Sequence, residues 1–298
     1  MNSVSLEDVE KEIRNKNAKW STVKQLPRSL QTRDIKRSLG LRVEEDKLRA
    51  LRSAPTLDVD SLIAEFGKSV QRDTKVASAV DWRNYNGRNA VTSIKDQRSC
   101  GSCVAFGVAA TVESMAIIEH NQQHDLSEAE LFFCAGPQAG AGACPQGGWW
   151  PADAMPYLRS TGVGEESCFP YSDQHIPCNT CNDRDKQAVY ITRSAEILDV
   201  QDRKKYISKI GPMIGGMIVF SDFPYYESGV YSHVTGGQEG GHCIQIIGYD
   251  DDQSCWVCKN SWGPDWGDNG YFKIAYGEPD CGIDTKFPFW GVIGIRSS

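Results

Sequence analysis

Apolar positions in the first 79 residues recur at helical spacing, but sparsely. Leu6, Val9, Ile13 and Trp20 follow such a pattern, and Ser5 with Asp8 stands ahead of them as an N-cap box. Shorter helical patterns follow at Ile35–Leu39, Leu48–Leu51 and Leu62–Phe66. Lys68 to Ala79 is polar and rich in small residues, which predicts an exposed linker. A segment with so little apolar surface needs the rest of the chain to pack against.

From Val80 to about residue 200 the pattern predicts mainly helix. The strongest helix begins near Ser102–Cys103 and runs to about Glu119; Ala, Val, Ile and Met lie on nearly all its sides, so it should be buried. A second helix starts at Ser127, with Glu130 completing a capping box, and a third follows Pro151 through Ala154, Met155 and Leu158. Beyond residue 210 the period changes. Met213–Phe220, His242–Tyr249, Cys255–Lys259 and Tyr271–Tyr276 are short strand-like runs punctuated by Gly, Pro and Asp. Helices first and strands second predict an α+β chain of two lobes with a cleft between them. The divisions fall at 1–79, at 80 to about 200 for the helical lobe, and at about 201–298 for the β lobe.

Charge sharpens this division. Residues 1–79 hold 16 Lys+Arg against 12 Asp+Glu, and residues 80–298 hold 16 against 27, within a net charge of −7. The overall sign argues against nucleic acid as a partner. No run of about 18 apolar residues predicts a membrane span, and the polar start MNSVSLEDVEKEIRNK lacks the apolar core of a secretory signal. Either a signal has been removed or none is used. All eleven cysteines lie after residue 99, which favours disulfides in an oxidising compartment (secreted, periplasmic or lysosome-like) over buried reduced thiols.

Three segments carry candidate chemistry. Gln97-Arg-Ser-Cys100-Gly-Ser-Cys103 immediately precedes the buried helix, so the Cys103 thiol would feel the positive end of the macrodipole. A Cys-x-x-Cys pair alone would equally suit a structural, metal or redox role. His242, in Gly240-Gly241-His242-Cys243, lies 139 residues after Cys103 and is the candidate base among five histidines. Asn260, in Lys259-Asn-Ser-Trp262-Gly, could accept from an imidazole N–H and orient the ring, with the Trp262 indole shielding that bond.

Taken together, these segments resemble the papain-like cysteine proteases from about Val80 to the end, the spacing of Cys, His and Asn being that of the papain and cathepsin signature. Ser221-Asp222-Phe223, Ser228-Gly229-Val230-Tyr231, His233-Val234-Thr235-Gly236 and Asp265-Trp266-Gly267-Asp268-Asn269-Gly270 look especially like cathepsin B, and Val80-Asp81-Trp82-Arg83 is similar to the start of a mature enzyme. The resemblance implies a two-lobed papain-like fold, no cofactor and no metal, and a monomer acting on proteins or peptides. It implies Cys103 as nucleophile, His242 as its acid–base partner, Asn260 as orienter, and Gln97 with the Cys103 N–H as oxyanion donors. It maps Gly147 and Gly148 to the strip that pairs with substrate backbone, and Trp149, Trp150, Gly241, Cys243 and Lys286 to the neighbourhood of the main specificity pocket. The disulfides it suggests are Cys100–Cys144, Cys134–Cys178 and Cys168–Cys181. Residues 1–79 would be an inhibitory propeptide crossing the cleft against the substrate direction, with Asn15–Trp20 similar to a motif of cathepsin B propeptides. Release at low pH by cleavage in Lys68–Ala79 is expected.

The chain departs from the pattern in four places. Val104 replaces the usual Trp after the nucleophile. Gly147-Gly148 stands one position further from Cys144 than usual, which leaves the register of Trp149 and Trp150 open by one residue. Residues 165–190, with only His175, are too short for the occluding insertion of cathepsin B, so endopeptidase action is expected. Lys286 stands where cathepsin B has a pocket Glu. The alternatives are a catalytically silent binding protein on the same fold and a thiol transpeptidase or ligase.

Overall fold

The computed structural model describes residues 4–31, 34–53, 58–66, 76–144 and 148–298. Gly147 and residues 68–75 of the expected linker lie outside them. The N-terminal segment carries α1 (Leu6–Lys16), β1 (Lys19–Thr22), α2 (Arg28–Gln31), α3 (Glu45–Ser53) and α4 (Val59–Phe66). Then come β2 (Ala79–Asp81), α5 (Cys103–His120), α6 (Pro151–Ser160), β3 (Val189–Ile197), α7 (Val200–Lys209), β4 (Met213–Phe220), β5 (Tyr226–Tyr231), β6 (Gln238–Asp250), β7 (Cys255–Lys259), β8 (Tyr271–Ala275) and β9 (Phe289–Ser297).

The α1 cap is the reciprocal box that Ser5 and Asp8 predict: Ser5 Oγ accepts from the Asp8 N–H, and the Asp8 carboxylate accepts from the Ser5 N–H. Asn17 ends the helix in the left-handed region, which Asn tolerates. The chain then enters β1, which pairs antiparallel with β5. Gly229 is required there, since a Cβ at its φ of +92° would sit 2.3 Å from the Lys19 carbonyl oxygen. Trp20 fixes the register: its ring lies 5.1 Å from that of Tyr231, and its indole N–H donates to the Ser232 carbonyl.

α5 is apolar all round because it is buried all round. By length and composition it could cross a membrane, but it is the core helix between the lobes. Ser127 caps the next helical turns by accepting from the Glu130 N–H. The second half of the expected box is absent. The Glu130 carboxylate turns inward instead, to Arg184, the Tyr157 hydroxyl and the Gly164 N–H. The turns that follow, Glu130–Ala135, are a π-helix.

The sheet runs β1-β5-β8-β7-β6-β4-β9-β3, with β2 added to β6. The expected division near residue 200 is not a division of helices from strands. β3 already belongs to the sheet, pairing with β9 along its length, and α7 lies inside the part expected to be strands. Disulfides join Cys100–Cys144, Cys134–Cys178 and Cys168–Cys181. The first ties the loop before α5 to the loop before α6. Cys103, Cys243, Cys255, Cys258 and Cys281 are free thiols. Among the described residues no group of His, Cys, Asp and Glu could hold a metal ion, Cys255 and Cys258 included.

Candidate active site

Cys103 is the first residue of α5, and the preceding Ser102 makes no side-chain cap. The helix's positive end therefore falls on the thiol. His242 sits on β6, and its Nε2 lies 2.8 Å from Asn260 Oδ1, just beyond β7. The same Oδ1 accepts from the Ser261 backbone N–H at 2.8 Å. A backbone N–H can only donate, so the Asn260 atom facing the ring is its oxygen and Nε2 must carry a proton. In a neutral imidazole the proton acceptor is then Nδ1. Trp262 covers this bond, its ring 5.1 Å from that of His242 and fully buried.

Gln97 is held by two groups that sequence reading did not single out. The Ser261 hydroxyl donates to its Oε1 at 2.6 Å, and the Tyr171 hydroxyl donates to its backbone carbonyl at 2.8 Å. Ser261 stands inside the Asn-Ser-Trp-Gly motif, so its position was a signal; Tyr171 offers none. With Oε1 fixed as acceptor, Nε2 is free of amide ambiguity and donates to two carbonyls, Cys100 at 2.9 Å and Ser38 at 2.7 Å.

Ser38 belongs to the N-terminal segment, which crosses this site. The Gly40 N–H donates to Cys103 Sγ at 3.2 Å, and the Cys243 N–H reaches the same sulfur at 3.4 Å. The Gly40 carbonyl accepts from the Trp149 N–H, the Leu41 N–H donates to Gly241, and the Arg42 N–H donates to Trp149. The pairing backbone is thus that of Trp149, one residue past the two glycines. Gly148 instead permits close approach, since a Cβ there would lie 1.9 Å from the Gly40 carbonyl oxygen.

The expected pocket residues divide. Leu41 packs at Gly216, beside Phe287, and its carbonyl lies against Gly241. Trp150 is one layer behind, in an aromatic cluster with Trp290 and Phe287. The Cys243 side chain points to α5, where it occupies the space left by Gly107; a Cβ on Gly107 would be 2.8 Å from its sulfur. Lys286 binds Glu45 of α3 at 2.8 Å. His175 packs edge-on to Phe133 in the helical lobe.

Beneath the site the helical lobe carries a cluster of buried charge. Lys95 is held by Glu113 and Glu128; burial opposes its charge, but the carboxylates outweigh it and keep the ammonium above its ordinary pKa. Burial raises Glu128 above the ordinary carboxylate range, against the pull of Lys95.

Burial under the N-terminal segment pushes the Cys103 thiol up to about 11, against the pull of the Cys243 and Gly40 N–H groups. The neutral thiol therefore dominates at neutral pH in the full chain. Alkylation of Cys103 by iodoacetamide should be slow at pH 7 and should rise only toward about pH 11. A pH–rate profile read by mass spectrometry checks this; a plateau already reached at pH 8 would contradict it.

A two-lobed α+β fold whose cleft is occupied by its own N-terminal segment is the zymogen architecture of a papain-like cysteine peptidase. The chain belongs to the papain family of cysteine proteases: the profile described as "Papain family cysteine protease" matches residues 76–289. Among curated proteins it is similar to Cathepsin B-like CP2 of Giardia intestinalis, 35% identical over 209 residues that cover 66% of this chain and 69% of that one. It is similar to Cathepsin B-like CP3 of the same organism at 34% over equal shares. Among solved structures, proCathepsin B S9 from Trypanosoma congolense superposes with a TM-score of 0.78 at 22% identity over the whole of both chains. Recombinant stem bromelain precursor gives 0.71 at 27%, covering 97% of this chain and 88% of that one.

Proposed function

We propose that the chain is the zymogen of a cysteine endopeptidase in which Cys103, His242, Asn260 and Gln97 are the working residues. The observation that carries this is the Ser38 carbonyl on Gln97 Nε2, a passing peptide oxygen already seated on the donor that an oxyanion would use. In this reading His242 Nδ1 takes the Cys103 proton once the segment has left. The thiolate attacks the scissile carbonyl, and Gln97 Nε2 with the Cys103 N–H holds the oxyanion. His242 then protonates the leaving amine, and water resolves the thioester. Asn260 keeps Nε2 protonated and the ring aimed. A silent binding protein is disfavoured because it would have no need of the fixed Asn260 and Gln97 amides.

The segment evades cleavage by direction. A substrate must present its pocket residue before its scissile carbonyl. Here Ser38, at the oxyanion donor, precedes Leu41, at the pocket, and the sulfur faces the Gly40 N–H. Leu41 supports a preference for a branched apolar residue in that pocket, and the Lys286–Glu45 pair supports tolerance of acid nearby.

Endopeptidase action is supported by the passage of the segment itself. Its backbone runs through the site from Ser38 at Gln97 to Arg42 at Trp149 and continues at both ends, as an internal stretch of a substrate chain would. Residues 165–190 are folded back by Cys168–Cys181 and Cys134–Cys178. Cleavage of internally quenched peptides blocked at both ends is expected. Release of C-terminal dipeptides alone would sink the endopeptidase reading.

Activation should require acid. Glu45 of the segment is held below the usual carboxylate range by its hydrogen bond from Lys286 of the peptidase domain. A depressed carboxylate contributes docking above its ordinary pKa, and that contribution fades as pH falls through the lowered value. Self-processing in residues 68–79 is therefore expected below about pH 4 and not at pH 6. Mass spectrometry of chain incubated at each pH decides it; equal processing at both would count against this mechanism.

A further inference from the structure

α4 is held on a face remote from the cleft. Val59 and Leu62 are buried, and the helix packs against α7. At one end Asp60 binds Lys205 at 3.0 Å; Lys205 also reaches Asp202 of its own helix at 3.3 Å. At the other end Glu65 binds Arg193 of β3 at 2.6 Å, and the Arg193 guanidinium lies over the Phe66 ring at 5.9 Å. Phe66 also borders a cavity of about 240 Å³ walled by Met115, Ile118, Ile210 and Ile295. Those α5 residues lie near its C-terminal end, and the whole helix places His120 about 25 Å from Cys103.

We propose that α7, β3 and the end of α5 form an exosite on the peptidase domain that binds a short acidic amphipathic helix independently of the cleft. Its occupant is the chain's own residues 58–66, in place within the zymogen and again after the linker is cut. The ligand pattern is on the page: an acid at the first turn, Val59 and Leu62 inward, then Glu65-Phe66 closing onto a cation. The exposed ion pairs set its register, and the two buried apolar side chains supply most of its affinity. Residues 43–58 join this dock to the cleft-blocking strip, so each raises the effective concentration of the other. A cut prosegment is thereby a bivalent inhibitor that leaves only when both docks open. The exosite stands apart from the roles assigned to Cys103 and His242.

The test uses the full chain. Leu62→Asp should empty the dock, and a fluorescent synthetic peptide of residues 58–66 should then bind it in trans, with saturable anisotropy. The unaltered chain, whose dock is filled, should bind at least tenfold more weakly. Leu62→Asp combined with Arg193→Glu and Lys205→Glu should also lose at least tenfold, and a peptide carrying Asp60→Lys and Glu65→Arg should recover binding to that triple variant. Absence of binding to the Leu62→Asp chain, or equal binding to all three chains, would overturn the proposal. Epoxide labelling of Cys103 after acid processing, read in parallel, reports on the catalytic reading alone, so failure of the dock and failure of that reading are separable.

Discussion

Replacing Gly40 with Val should switch on the full-length chain at neutral pH. A Cβ at residue 40 would lie 1.7 Å from the Gly101 carbonyl oxygen and 2.4 Å from its carbon. Neither atom can retreat, because Gly101 sits between Cys103 and the Cys100–Cys144 bridge. The segment must lift instead. It then loses the Gly40 bond to Cys103 Sγ, the Ser38 bond to Gln97, and the backbone bonds among Gly40, Leu41, Arg42, Trp149 and Gly241. At roughly 1 kcal/mol each, losing three or four of these shifts the closed state by about 3–4 kcal/mol, or roughly 10²–10³ in population. The β1 and α4 contacts hold the segment nearby but not in the cleft. Labelling by an active-site epoxide without acid treatment should accelerate by about that factor. Gly237→Ala, where an added Cβ meets nothing within 4 Å, should change nothing. A Gly40→Val chain as unreactive as its parent would refute the latch.

That latch was half legible in the sequence. Gly40 is one of only two glycines before residue 80, and the charge split set that segment against the rest. What could not be read was the fit. The collision of Gly40 with Gly101, the approach of Gly148 and the seating of Leu41 are contacts between distant parts of the chain. Local features were read well where the physics is local, as at the Ser5–Asp8 box and the all-apolar α5. They failed where a tertiary partner won. Glu130 left its capping role for Arg184, and β3 escaped notice because Arg193 interrupts the alternation of its buried positions within a polar run, Thr192-Arg193-Ser194. Trp150 illustrates the same limit: its place beside the glycines pointed to the pocket, whereas packing with Trp290 draws its ring behind it.

Cys103→Ala should lower kcat/KM by at least about 10⁴-fold, because removing an attacking group disables the unit it works in. The variant cannot process itself, so traces of active enzyme must remove its prosegment at acid pH before the assay. Ionisation alone does not single this thiol out. Burial raises Cys255 to about 11, as it does Cys103, and pushes Cys243, Cys258 and Cys281 well above the ordinary value. What distinguishes Cys103 is company: a helix N-terminus, the pair of His242 on β6 and Asn260 just beyond β7, and the Gln97 donor. Only Cys103 also lies directly under the strip that leaves on activation, so its burial is the part of its environment that activation removes. Epoxide labelling of the activated parent should therefore fall on Cys103 and spare the other four. Label on Cys243, the nearest free thiol in sequence to His242, together with residual hydrolysis within tenfold of the parent, would transfer the nucleophile's role and undo the assignment.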